Sequence, residues 1–125
     1  MSNPSEPERP HEVPAVDFEL DTYELVLLRR PETALDFDGA TRRRLQGEHN
    51  SYLLGLQATG LLRGAGAISG HPSLTGLGLF STGSLEEARR LAEADPAVKA
   101  GLNAVEVMNF VCPKEALIFP RPDRP

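Results

Sequence analysis

Between Leu45 and Leu56 the chain repeats side chains at helical spacing. Leu45, His49, Tyr52, Leu53 and Leu56 fall on one side of a helix turning about 100° per residue. An apolar stripe of this width faces a core, so the domain is built around one long amphipathic helix. The stripe also turns one imidazole inward. A buried polar group left without a partner costs about 1–3 kcal/mol, so His49 requires a hydrogen-bond partner from elsewhere in the chain. A satisfied core histidine is the commoner outcome for a lone inward His, and a catalytic one is the sharper alternative.

The chain has 125 residues and a net charge of −5. Its ends are rich in proline: residues 1–16 read as a disordered tail holding His11, 121–125 as a second tail, and 17–120 as one domain. So small a core gains from burial against a second copy, and a homodimer is expected. No basic block is present to neutralise phosphates, which argues against nucleic acid as a partner. No run is long and apolar enough to span a bilayer, and none resembles a secretory leader. The single cysteine, Cys112, cannot form an internal disulfide, and the three histidines lack zinc-ligand spacing. These features suit a soluble, cytoplasmic protein with no metal and no cofactor.

Alternation from Tyr23 to Arg29 predicts a strand, ended by Pro31. Asp38 is placed to cap the His49 helix and Gly60 to end it in a left-handed turn. Arg42, Arg43 and Arg44 in its first turns form a solvated face or draw an anionic ligand toward the helix start. Opposite the His49 stripe, Gly47, Ser51, Leu54, Gly55 and Ala58 leave a small-residue face where a partner could pack closely. Leu61 to Ser69 and Thr75 to Ser81 read as a hairpin around His71 and Pro72. Ser84 and Glu87 have the spacing of a reciprocal capping box for a helix from Leu85 to about Ala94. Asp95-Pro96 stops that helix, a short turn reaches Gly101, and a last strand runs from Val105 to Cys112, with Cys112 in the core. The apolar patch Ala116 to Phe119 is expected to lie on the domain or on a partner subunit.

Strand, helix, strand, strand, helix, strand is the order of an α+β ferredoxin-like βαββαβ protomer: an antiparallel sheet with both helices on one face. The other face then has no helix to cover it. In this arrangement the inward side of the first helix and the end of the second border one hollow, which brings Asp95 toward His49. A carboxylate there would hold one ring nitrogen and orient the other, as a general base needs. Asp before Pro is also an ordinary helix cap, and Asp95 can serve as both. Tyr52 is an apolar wall or a donor to a ligand oxygen, and Ser81 and His71 are candidates for the rim of a substrate pocket. Gly64-Ala65-Gly66 is too short, and lies in a strand, to count as a phosphate loop.

Five separated blocks resemble, in order, the pattern of the YCII-related family. They are His49 with Tyr52 and Leu53; Gly60-Leu61-Leu62; Gly64-Ala65-Gly66; Ser84 with Glu86, Glu87 and Ala88; and Asp95-Pro96 with Gly101. The resemblance covers roughly residues 22 to 112. It departs where Gly66-Ala67 stands in place of a frequent Gly-Pro, around His71, and beyond Pro113. The resemblance implies a dimeric α+β barrel in which two protomers pack sheet against sheet. It also implies an active-site pair falling on His49 and Asp95. Relatives include an enzyme that dehydrochlorinates a chlorinated hydroxyhydroquinone, and the wider fold group holds muconolactone isomerases and cofactor-free monooxygenases. The function expected is acid–base catalysis by a His-Asp dyad, an isomerisation or a lyase-type elimination on a small cyclic or aromatic metabolite. The alternative is a dimeric module that binds a small metabolite and does no chemistry.

Overall fold

The computed structural model describes residues 18–33 and 35–119, so both proline-rich tails and His11 lie outside the described residues. The elements are β1 (Leu20–Arg29), α1 (Gly39–Thr59), β2 (Leu62–Ala67), β3 (Leu74–Phe80), α2 (Leu85–Glu93), α3 (Pro96–Lys99) and β4 (Ala104–Pro113). The sheet order is β2-β3-β1-β4, with every neighbouring pair antiparallel. This is the ferredoxin-like arrangement that the order of elements predicts.

The inner face of the sheet and the two long helices enclose the core. Val26, Leu62 and Phe80 from the strands meet Leu56 of α1 and Ala88, Leu91 and Ala92 of α2. The α1 stripe turns inward as its periodicity requires: Leu45, His49 and Leu56 are buried, and Tyr52 and Leu53 pack partly buried against the same cluster. At the start of α1 the Asp38 carboxylate accepts the Thr41 N–H at 2.6 Å, and at its end Gly60 adopts φ 83°. Both caps follow the sequence. The glycine face does not acquire a neighbour: a Cβ placed on Gly47 or Gly55 would meet nothing within 4 Å among the described residues.

The edges of three elements differ from expectation. β1 begins at Leu20 because β4 continues to Pro113, which pairs with it. A proline needs no ladder N–H at the last position of a strand, so it ends the pairing from inside rather than from one residue beyond. β2 stops at Ala67, short of Ser69. The capping box at α2 forms only in half. The Ser84 hydroxyl accepts the Glu87 N–H at 3.0 Å, while the Ser84 N–H donates to Thr82 Oγ1 at 3.2 Å. The Glu87 carboxylate takes Arg90 instead, at 2.5 and 2.9 Å, since a guanidinium three residues on offers a two-pronged, charge-assisted partner.

One carboxylate sits on the inner face of the sheet. Glu24 is 2% exposed, and its Oε1 accepts both the N–H (2.8 Å) and the hydroxyl (2.5 Å) of Thr82. It thereby ties β1 to the loop that opens α2. The outer face carries Tyr23, Leu25, Leu27, Leu79 and Met108, with Leu77 39% and Phe110 37% exposed. Part of the C-terminal segment returns over it. The Phe119 ring meets Tyr23 edge-on at 5.7 Å, and the Arg63 guanidinium lies 4.8 Å from the Phe119 ring centre. Ile118 beside it stays 89% exposed. Cys112 is a buried free thiol, but the register puts it on the outer face of the sheet with Tyr23 and Phe110 and outside the core cluster under the helices.

β2 and β3 approach closely at Gly76, where a Cβ would stand 3.0 Å from the Gly66 carbonyl oxygen and 3.6 Å from Leu28 Cδ1. Gly64, in the same sheet, has open space at that position. Gly76→Ala is therefore expected to destabilise the domain by about 1–3 kcal/mol, as overpacking does. Gly64→Ala should be neutral or slightly stabilising. Urea denaturation of the two variants beside the wild type measures the difference.

Candidate functional site

The site begins with the step that ends α2. Proline forces the residue before it out of the helical region, so Asp95 leaves the helix at φ −59°, ψ 127° and caps α3. One carboxylate oxygen, Oδ1, accepts the Ala97 N–H at 2.9 Å. The other, Oδ2, is hydrogen-bonded to Nδ1 of His49, which reaches it from the inward stripe of α1. Asp95 is 2% and His49 7% exposed. An ionised carboxylate only accepts, so Nδ1 donates in this hydrogen bond, and in the neutral ring the lone pair is then on Nε2. Nε2 has no hydrogen-bond partner among the described residues.

Two hollows meet at this pair. Asp95 borders a small apolar one of about 20 Å³ beneath the helices, room for about one water, walled by Tyr52, Leu53, Leu56, Leu91 and Phe80 among others. His49 borders a more polar one of about 180 Å³, with Gln46, Asn50, Thr75, Asn103, Gly66, Ala67, Gly76 and Leu28. In the second, Thr75 Oγ1 donates to Asn103 Oδ1 at 3.2 Å and Gln46 Nε2 donates to Asn50 Oδ1 at 3.3 Å. Each asparagine thus has its carbonyl oxygen satisfied and keeps its amide N–H groups for a ligand. Among the described residues no three His, Cys, Asp or Glu side chains converge as a metal ion would require. No helix among them is long and apolar enough to cross a membrane.

The candidate residues of the sequence are dispersed in the fold. His49 and Asp95 are brought into contact, and Tyr52 stands beside Asp95. The Tyr52 hydroxyl donates to the Leu91 carbonyl at 2.8 Å, so its one proton is committed to the backbone. Burial, and then the nearby Asp95 charge, raise its phenol above the usual range. Ser81 lies at the C-terminal end of α1, its N–H on the Leu61 carbonyl at 2.9 Å, about three turns of helix from His49. His71 sits exposed in the β2–β3 turn, where its Nδ1 accepts the Ser73 and Leu74 N–H groups at 3.0 and 2.8 Å. Neither lines the hollow of His49. Gln46, Asn50, Thr75 and Asn103 do, and none of the four is a candidate on sequence grounds above. Gln46 and Asn50 flank His49 at helical spacing, a signal that a pattern argument can use. Thr75 and Asn103 meet only through the strand register.

Two helices over one face of a four-stranded antiparallel sheet, with a buried histidine–aspartate pair between them, define a ferredoxin-like α+β domain with a ligand-sized hollow at its helical layer. The chain belongs to the YCII-related domain family, whose sequence pattern matches residues 23–111. Among solved structures it is similar to a 5-chloro-2-hydroxyhydroquinone dehydrochlorinase from Burkholderia phenoliruptrix AC1100, solved with 2,5-dihydroxybenzoquinone. The identity is 28% over 67% of this chain and 90% of that one, with a TM-score of 0.44. No curated protein matches the chain in sequence.

The division of Asp95 between two donors gives a test. In Asp95→Asn the single carbonyl oxygen is held by the Ala97 N–H, which turns the NH₂ group toward His49 Nδ1. Nδ1 must then accept, and the ring proton moves to Nε2. Long-range ¹H–¹⁵N correlation spectra of the neutral ring should show the Nδ1–H tautomer in the wild type and the Nε2–H tautomer in the variant. The same tautomer in both would remove Asp95 from the control of the ring.

Proposed function

We propose that the protein is an acid–base enzyme in which His49, oriented by Asp95, moves a proton on a small cyclic or aromatic metabolite. The observation that carries this reading is the hydrogen bond from His49 Nδ1 to Asp95 Oδ2, which leaves Nε2 free at a residue that lines a hollow of about 180 Å³, room for a single-ring compound. Nε2 takes a proton from a carbon next to a carbonyl, and the electron pair of the broken C–H bond passes to the carbonyl oxygen as an enolate. The amides of Asn50 and Asn103 offer donors for that oxygen. The imidazolium formed at His49 is offset by the Asp95 carboxylate. Return of the proton to another carbon gives an isomerisation, whereas departure of a neighbouring leaving group with its electron pair gives an elimination. Acid–base groups alone supply such a step, so the reading calls for no cofactor.

Proton transfer of this kind contributes about 10²–10⁴ in rate. Exchange of the acidic C–H for deuterium in heavy water, followed by NMR over a panel of small cyclic ketones, lactones and hydroxyquinones, measures it whatever the final product. The wild type is expected to accelerate exchange of at least one member, and His49→Ala to lose that acceleration while the fold persists. Equal exchange by the variant would defeat the reading. Compounds that raise the melting temperature and never exchange would point to the non-catalytic binding module instead.

The same reading includes a homodimer in the cytoplasm. The outer sheet face holds Leu25, Leu27, Leu77, Leu79 and Phe110, and no helix among the described residues covers it; a second copy laid sheet to sheet would remove these side chains from water. The buried thiol of Cys112 suits a reducing compartment. Sedimentation velocity is expected to give a dimer for the wild type and a monomer for Leu77→Glu, whereas a monomeric wild type would end this part of the proposal.

A further inference from the structure

The ridge of α1 that carries His49 continues past the site. Arg42, Gln46, His49 and Asn50 stand at i, i+4, i+7 and i+8, so they share one side of the helix. The last three line the hollow of the histidine, whereas Arg42 lines a further hollow of about 200 Å³ with Arg30, Leu35, Phe37, Gly101 and Leu102. The other walls run through in the same way. Leu102 belongs to the outlying hollow and Asn103 to the central one, and on β1 Arg30 belongs to the first and Leu28 to the second. The two hollows therefore adjoin along three walls.

The outlying hollow combines two guanidinium groups with apolar surface. Arg29, Arg44, Arg89 and Arg90 each pair with a glutamate, but among the described residues Arg30 and Arg42 pair with no carboxylate. Asp36 and Asp38 lie on the adjoining loop, and Asp38 is engaged with the Thr41 N–H. Two unpaired arginines beside Leu35, Phe37 and Leu102 in a chain of net charge −5 form a local site for an anion with hydrocarbon attached.

We propose that this hollow binds the carboxylate of the substrate, and that the compound reacting at His49 is an amphipathic carboxylic acid. Seven residues of helix separate Arg42 from His49, a rise of about 10 Å, so the carboxylate sits on a side arm or far edge of the molecule and not on the reacting carbon. The guanidinium forks would take either anion, but the apolar walls of Leu35, Phe37 and Leu102 take the carbon frame that an organic carboxylate carries and inorganic phosphate lacks. The identity of the reacting end rests on the acid–base reading above. The arginine end does not.

Binding of hexanoate, a carboxylate with an apolar chain and no reactive C–H of the required kind, separates the two. Titration into ¹⁵N-labelled full-length protein is expected to shift the amides of Arg30, Arg42, Gly101 and Leu102. Hexanamide and inorganic phosphate should bind at least about tenfold more weakly. Arg30→Gln with Arg42→Gln should weaken hexanoate about tenfold or more, and Arg43→Gln, which removes a charge beside the hollow, should leave its affinity within about twofold. Both altered arginines are exposed, and the dispersion of the same spectra verifies that the variants fold. Equal binding of hexanamide, tighter binding of phosphate, an equal loss in Arg43→Gln, or no loss in the double variant would each overturn the proposal. His49→Ala should keep the hexanoate affinity, so a protein that binds hexanoate through the arginines and exchanges no C–H proton would fail the acid–base reading alone.

Discussion

A carboxylate taken out of water has to be met on every side, and Asp95 is met by two groups that belong to different parts of the chain. The Ala97 N–H holds one oxygen as part of a helix cap, a local contact that the Asp-Pro step sets up by itself. The His49 ring holds the other, and that contact joins the end of α2 to the middle of α1 across 46 positions of sequence. The cap fixes the carboxylate, the carboxylate fixes the ring, and the ring determines which nitrogen meets the hollow. Glu24 does similar work at the other end of α2. Its buried carboxylate holds Thr82 and so seats the loop from which that helix starts. α2 is thus secured at both ends by acidic side chains placed where most of the core is apolar.

Much of this is legible in the amino-acid order, and the parts that are not share a cause. The α1 stripe, both of its caps, the Asp95-Pro96 stop and the order of elements follow from spacing within a few residues, where helical and strand periodicities leave little choice. The meeting of His49 with Asp95 follows from topology, once two helices are assigned to one face. The half-formed capping box shows the limit of a local motif: Ser84 and Glu87 have the spacing, but Arg90 and Thr82 compete for the same groups and win. Thr75 and Asn103 are not legible at all, since nothing near either residue records that β3 and the start of β4 bring them to 3.2 Å. His71 and Ser81 stand out by residue type, but His71 accepts backbone N–H groups of its own turn and the Ser81 hydroxyl donates to the Gly60 carbonyl at the end of α1.

The two faces of the sheet are used differently. The inner face supports the buried His49–Asp95 pair with packed aliphatic side chains and two glycines on β3, Gly76 and Gly78, that bring backbone and neighbours close. The outer face is broad and partly exposed, and among the described residues Phe119 lies over it, against Tyr23 and Arg63. A fold of this size separates its tasks by layer: the helical side holds polar groups in fixed relation, and the strand side presents area.

Leu28 lines both the apolar hollow beside Asp95 and the polar hollow beside His49. Its Cδ1 lies over Gly76, where the absent Cβ leaves it room. One aliphatic side chain therefore stands between a space of about 20 Å³ beside Asp95 and a hollow of about 180 Å³ beside His49. Within a lineage built on this scaffold, trimming or lengthening that residue would redraw the partition without moving the histidine or the aspartate. The scaffold can explore new ligand sizes at a position that carries no charge and makes no polar contact.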